Sequence, residues 1–524
     1  MPTITTFPGV YVEEDHALSL SITSGNTAVP VFIFNPVLEL VSGTSAPTFG
    51  DKLIKIESWM DYLTKFAAWM DSTSSVMKFD ITKSTFDDIK VDGVITVDEF
   101  NKSIEASKKG LEKISVAEND INKFSENLLV SFGYYNLQHY FENGGGACYL
   151  YISSYQIKNP VTVLLLEDIY ESFTPSTTFD LTDIINSKSD ITLVCLCGTR
   201  SVNGKFYDVI SNLFTQVKGH GAPLFCLNGS ADVTSEKLSK AAPAQSAVYY
   251  PLLKTNYDLI NRPVSLDKSS LIIKLQSLRA FKDGILNSID DLLASFKSKN
   301  DAEKDEVDKI KGNIRHFLDT QKGIDKGKSQ PVILSPVAAV AGAYCRTDSE
   351  RGVWKAPANV VLGGVKGLCN EKGDEVTITD AINADLMKEG INAIRYFPNQ
   401  GYTLWGARTL ETGANSSWRY IPVRRLFNIA ERDIKQAMAE AIFEPNTPAT
   451  WEIIRSAVDV YLHSLWTQGA LFGDKPAQAY FVQIGLGATM TAEDINQGRM
   501  IVKVGMAAVK PAEFIILEFS QKQI

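Results

Sequence analysis

The stretch "ITLVCLCG" (Ile191–Gly198) is followed by "FYDVISNLFTQVKGHG" (Phe206–Gly221) and then by "APLFCLNG" (Ala222–Gly229). The outer two are short, almost wholly apolar runs ended by glycine, which is the pattern of strands in a layered core. The middle one is a helical stretch with a glycine stop. Strand, helix and strand in succession specify a parallel pair, because parallel strands need the crossover that a helix supplies.

The same alternation extends outward. Upstream, "TAVPVFIFNP" (Thr27–Pro36) is an apolar strand ending at proline, and "SWMDYLTKF" (Ser58–Phe66) opens with a serine able to cap an amphipathic helix. "NLLVSFGYYNLQHYF" (Asn127–Phe141) carries aromatic residues at helical spacing, stops at Gly144-Gly145-Gly146 and hands over to the strand "ACYLYIS" (Ala147–Ser153). Downstream, "EKLSKA" (Glu236–Ala241) is a short helix and "SAVYYPLL" (Ser246–Leu253) another strand. The fold class expected is α/β, within an α+β chain of several domains, and residues 26–256 form a layered α/β unit with a mainly parallel sheet.

Two outer insertions interrupt the pattern. Residues 70–127 are polar and rich in Ser and Lys. Within residues 257–330, the span Lys282–Lys328 has 20 charged residues in 47 and no Pro, Trp or Tyr, so it is read as a helical insertion on the surface, charged outside a narrow apolar stripe. Residues 331–524 form a further domain with two long helices, "RLFNIAERDIKQAMAEAIF" (Arg425–Phe443) and "ATWEIIRSAVDVYLHSLWTQG" (Ala449–Gly469).

Both ends of the chain read as strands without a sheet. In "TFPGVYVEED" (Thr6–Asp15), Val10 and Val12 alternate with Tyr11 and Glu13, but Pro8-Gly9 and the acidic run cut the segment off on either side. In "AEFIILEFSQ" (Ala512–Gln521), Ile515, Leu517 and Phe519 alternate with Phe514, Ile516 and Glu518. Glu513 and Glu518 are expected to keep this tail soluble before it pairs.

Bulk properties narrow the function. At 524 residues the chain exceeds the size of a single core, and 44% hydrophobic residues with a mean hydropathy of −0.05 describe a packed globular protein. A net charge of −9 argues against nucleic acid as a partner. No apolar run is long enough for membrane insertion and "MPTITTFPGV" lacks the features of a signal peptide, so synthesis and retention in the cytoplasm, or exit without a signal, is expected. The six cysteines show no CxxC spacing and are read as buried free thiols.

Sites for chemistry are sparse. "DIKVDGVITVDE" (Asp88–Glu99) resembles a Ca²⁺ loop, with Asp88, Asp92 and Glu99 at ligand positions, but Lys90 stands where an oxygen ligand is required. "NGGGAC" lacks the lysine of a phosphate-binding loop. Arg424 and Arg425 are candidates for ion pairs with carboxylates of the same or a neighbouring chain. No nucleophile, base and oxyanion site assembles, so no enzyme activity and no cofactor are expected. An α/β ligand-binding or Ca²⁺-regulated protein is the alternative.

Five segments in order, "AVAGAYCRTDSERGVWKAPAN" (Ala339–Asn359), "GINAIRYFPNQGYTLWGARTL" (Gly390–Leu410), "WRYIPVRRL" (Trp418–Leu426), "FEPNTPATW" (Phe443–Trp451) and "PAEFI" (Pro511–Ile515), together with "FPGVYVEE" near the start, resemble the contractile tail sheath family of phages and extracellular injection systems. The resemblance covers about half the chain and omits both insertions. It implies a sheath core domain at 331–524, a linking N-terminal arm at 1–25 and a linking C-terminal strand at 511–521. The arm strand (Val10, Tyr11, Val12, Glu13) and the tail strand (Phe514, Ile515, Ile516, Leu517, Phe519) would pair with the C-terminal domains of neighbours. It further implies self-assembly into hexameric rings around an inner tube, with baseplate and terminal cap proteins and paralogous sheath subunits as partners, and contraction that needs no nucleotide. The setting implied is a bacterial cytoplasm, followed by a phage tail or released particle.

Overall fold

A computed structural model describes residues 20–33, 37–40, 53–74, 133–151, 154–157, 185, 188–197, 225–228, 242–258, 331–370, 373–413 and 416–513. The apolar runs become strands as expected: β1 (Pro30–Ile33), β2 (Val37–Leu40), β3 (Leu53–Ile56), β4 (Cys148–Tyr151), β5 (Ser154–Ile157), β6 (Leu193–Leu196), β7 (Phe225–Asn228), β8 (Ser246–Tyr250), β9 (Leu252–Asp258) and β10 (Pro331–Leu334). Beyond them come β11 (Val360–Val361), β12 (Val365–Cys369), β13 (Ile391–Phe397), β14 (Gly401–Trp405), β15 (Tyr480–Gln483) and β16 (Lys503–Met506). The longer helices are α1 (Trp59–Ser74), α2 (Tyr134–Glu142), α3 (Val337–Arg351), α4 (Asp380–Lys388), α5 (Ile421–Met438) and α6 (Pro448–Thr467).

Nine strands form the main sheet in the order β11-β14-β13-β8-β7-β6-β1-β4-β3. The run from β13 to β4 is parallel, and β14, β11 and β3 close the two edges in antiparallel pairing. β6 and β7, the strands of the opening stretch, lie side by side in register, Leu193 opposite Phe225 and Leu196 opposite Asn228. Residues alternate between two cores: Phe32, Leu150, Leu193, Cys195 and Tyr249 enter one, whereas Val31, Tyr149, Val194, Leu196 and Val248 enter the other. Burial on both faces explains why these strands read as continuous apolar runs.

The first core is roofed by α1, α2 and α3. Ser58 caps α1 through its hydroxyl, which accepts from Asp61 N at 3.1 Å. α2 and α3 pack closely because Gly342 has no side chain; a Cβ there would lie 2.4 Å from the Tyr140 carbonyl oxygen. Inside this roof the hydroxyls of Tyr249 and Tyr344 bond each other at 2.8 Å, so neither is buried without a partner.

The sequence differs from the structure at one strand and at one boundary. "SAVYYPLL" is not a single strand: Pro251 has no N–H to continue a ladder, and the chain changes sheets there. β8 stays in the main sheet while β9 joins β10 and β12 in a three-stranded sheet. The boundary drawn between residues 26–256 and 331–524 does not separate two sheets, because β13 pairs with β8 along Ile391–Ala393. Strands from both sides of the charged insertion thus share one hydrogen-bonded surface. A third core belongs to the last part of the chain: α5 and α6 pack through Leu426, Ile429, Ile454, Val458 and Leu462, and β15 and β16 lie against them.

Candidate intersubunit assembly site

Residues 20–29 lead into β1 over the C-terminal helices. Leu20 and Ile22 pack on the third core. Arg432 Nη1 donates to the Asn26 carbonyl at 2.7 Å and Arg425 Nη2 donates to the Thr27 carbonyl at 3.1 Å. Arg425 is held by a bidentate pair with Asp348, at 3.0 and 2.6 Å, and its guanidinium lies 4.7 Å from the centre of the Tyr344 ring. Burial alone would lower the affinity of Arg425 for its proton, but the Asp348 carboxylate more than offsets this and holds the pKa above its ordinary value. Beside it, Arg432 Nε and Nη2 both donate to Asp433 Oδ1, while the Tyr461 hydroxyl donates to Asp433 Oδ2 at 2.9 Å.

Arg424 and Arg425, candidates for ion pairs within the chain or between subunits, have their partners inside the chain, which corrects the intersubunit reading. The side chains of Arg425 and Asp348 are 2% and 3% exposed, which leaves no face for a neighbouring carboxylate. Arg424 donates to Asn428 Oδ1 at 2.6 Å and to Glu431 Oε1 at 2.8 Å, and it stacks on Trp418. Arg425, with Arg432, ties the root of the N-terminal segment to α5, whereas the partners of Arg424 all lie between Trp418 and Glu431.

The C-terminal end has its own root. After β16, Ala507 N donates to the Ala479 carbonyl at 2.8 Å and Val509 N to the Ala470 carbonyl at 3.1 Å. Glu513 then accepts from Arg408 Nε at 2.8 Å, from Arg408 Nη2 at 2.7 Å and from the Tyr420 hydroxyl at 3.2 Å. The Glu513 hydrogen bond raises the Arg408 pKa above its ordinary value. This corrects the expected role of Glu513: its side chain is 18% exposed and clamped, not a free solubilising charge.

Between these roots lies the antiparallel pair β15–β16, Tyr480 opposite Met506 and Gln483 opposite Lys503. Among the described residues neither strand has a partner on its outer edge. Phe481, which lies across Gly505, remains 53% exposed, and Leu486 just beyond β15 is 58% exposed. An edge with unpaired backbone groups and exposed apolar side chains is a template for another strand.

The proposed arm strands themselves, Val10 to Glu13 and Phe514 to Phe519, lie outside the described residues, as do the Ca²⁺-loop candidates Asp88, Asp92 and Glu99 and nearly all of the charged insertion. Sequence reading missed Asp348, Asp433 and Arg408. The partners of Asp348 and Arg408 are distant in the chain, 77 residues from Asp348 to Arg425 and 105 from Arg408 to Glu513, so no local spacing marks them, while Asp433 pairs with the adjacent Arg432 and with Tyr461 on α6.

The sequence profile of the phage tail sheath C-terminal domain matches residues 413–522. The tail sheath protein of Vibrio phage KVP40 is 30% identical over 40% of this chain and 29% of its own length; that of Enterobacteria phage T4 is 29% identical over 31% and 23%. The chain therefore matches less than a third of these two phage relatives. Two solved sheath structures match along nearly the whole chain. The helical sheath of the anti-feeding prophage in its contracted state is 30% identical, with a TM-score of 0.58 over 99% of this chain and 100% of that one. The contracted sheath complex of the PVC extracellular contractile injection system is 32% identical, with a TM-score of 0.56 over 99% of both chains. The match in sequence and fold along the whole length places this chain in the contractile tail sheath family.

Proposed function

We propose that the chain is a structural subunit that polymerises as stacked hexameric rings around an inner tube and contracts to drive that tube through a target envelope. The observation that carries this reading is the pair β15–β16, whose two edges are unpartnered among the described residues, in a chain whose two ends each carry a strand pattern. Two edges and two arms per subunit balance, so every edge is filled when each subunit gives both arms to neighbours. Each net backbone hydrogen bond contributes about 1 kcal/mol. Several per strand, repeated through the polymer, hold the mesh while the rigid bodies rotate. The anchored roots at Arg425–Thr27 and Arg408–Glu513 fix where each arm leaves its own body, so tension on an arm is delivered to α5.

Contraction then draws on the free-energy difference between two packings of the same subunits and requires no catalysis. Partners follow from this arrangement: further copies of the chain and paralogous sheath subunits, the inner tube, a baseplate and a terminal cap. Synthesis in a bacterial cytoplasm precedes assembly into a phage tail or released particle. Negative-stain electron microscopy of the purified chain tests the reading. Ring-stacked tubes are expected from the full chain and folded, discrete particles after deletion of Met1–Asp15; discrete particles from the full chain would favour the α/β ligand-binding or Ca²⁺-regulated alternative.

A further inference from the structure

The loop between α5 and α6 presents Ile442, 61% exposed, and Phe443, fully exposed at the tip. Phe443 has φ of +74°, a left-handed backbone that bulky residues rarely adopt. The loop is braced from behind: Trp451 Nε1 donates to Asn446 Oδ1 at 2.7 Å, and Asn446 Nδ2 donates to the Arg499 carbonyl at 3.1 Å. A strained, rigidly held and wholly exposed aromatic is a feature that folding of this chain alone does not account for. Glu440 and Glu444 flank it and are exposed.

At the other end of α5 lies a groove of about 710 Å³, walled by Trp354 and Trp405 and by residues 509–513. Arg351, Lys355 and Lys510 line it, and none of these three is ion-paired among the described residues. The groove is joined to the start of α5 through Glu513, which bonds the Tyr420 hydroxyl, and through Ala407, whose carbonyl accepts from Ile421 N. α5, of 18 residues and about 27 Å in length, lies between knob and groove.

An apolar knob with acidic flanks at one end and an aromatic groove with basic flanks at the other are complementary and cannot meet within one chain. We propose that Ile442–Phe443 of one copy seats in the Trp354–Trp405 groove of a second copy, with Glu440 and Glu444 facing Arg351, Lys355 and Lys510. This is a heterologous, head-to-tail contact, which closes into rings or runs on as a helix. It rests on the sheath reading only in that the chain self-assembles, and it is a contact between bodies, separate from the exchange of arms.

Charge reversal tests it. Lys355→Glu with Lys510→Glu, and Glu440→Lys with Glu444→Lys, should each raise the concentration needed for tube formation at least tenfold, and all four together should restore it. Circular dichroism and melting confirm that each variant folds. Tubes formed as readily by both pairs, or no recovery in the fourfold variant, would overturn the proposal. A second readout does not need tubes: in a Phe443→Cys, Trp405→Cys variant under oxidation, disulfide-linked oligomers that require both substitutions are expected, and monomers alone would refute the contact. Wild-type chain that makes no tubes but whose double-cysteine variant gives such oligomers would refute the sheath reading and leave this contact standing.

Discussion

Replacing Asp348 by alanine removes the partner of a cation that has nowhere else to go. Arg425 is 2% exposed by side chain, and Asp348 takes two of its N–H groups at 3.0 and 2.6 Å. Breaking a buried pair on one side costs about 3–5 kcal/mol, because a desolvated charge is left without compensation. At roughly 2 °C per kcal/mol for a large domain, the melting transition should fall by about 6–10 °C. The same change loosens the donor to the Thr27 carbonyl, so residues 20–29 should become more susceptible to proteolysis at temperatures where the body is still folded. The double variant Asp348→Leu, Arg425→Met should recover most of the lost melting temperature, since an apolar pair of similar volume removes the uncompensated charge. It should not recover protection of residues 20–29, because Met cannot donate to Thr27. Scanning calorimetry with limited proteolysis reads both effects. A fall of under 2 °C in Asp348→Ala, or a double variant less stable than the single, would refute the reasoning.

Three further outcomes follow from the structure. Glu513→Gln should replace a bidentate ion pair by a neutral contact and weaken docking of residues 509–513 by roughly 1–2 kcal/mol, or about tenfold; hydrogen exchange at Val509 should quicken by that factor with little change in global melting. His139 is buried, donates to the Gly363 carbonyl at 2.7 Å and has its pKa pushed below the ordinary 6.5 by desolvation. The unfolded chain therefore takes up this proton first, so the contribution is full above pH 6.5 and is lost as pH falls below it; His139→Gln should flatten the melting temperature between pH 7 and pH 5 relative to wild type. Leu517→Asp should leave a soluble, folded subunit that fails to assemble, whereas Leu517→Val should still form tubes in the electron microscope; aggregation or unfolding of the Asp variant would make Ile515–Phe519 an internal strand.

The parallel sheet was legible because each of its strands is an apolar run with its own stop signal, as at Leu193–Leu196 and Phe225–Asn228. The joining of β8 to β13 was not, since Ser246–Tyr250 and Ile391–Phe397 carry no mark of each other across more than a hundred residues and the charged insertion between them reads as a boundary. Pro251 was visible, but its effect depends on which sheet receives the next strand. At the assembly site, the alternation in Val10–Glu13 and Phe514–Phe519 reads as strands in need of a sheet, and both segments lie outside the described residues. The ion pairs that anchor their roots were hidden, because an arginine pair such as Arg424-Arg425 advertises charge without saying that both members are buried within their own chain.

The central claim, that β15–β16 is completed by strands from other copies, is tested most directly by a helical reconstruction of tubes formed by the full chain. The account predicts a four-stranded sheet in each subunit, with Val10–Glu13 of one neighbour on one edge and Phe514–Phe519 of another on the other. Tubes in which both edges are bare, or are filled by the subunit's own ends, would contradict it.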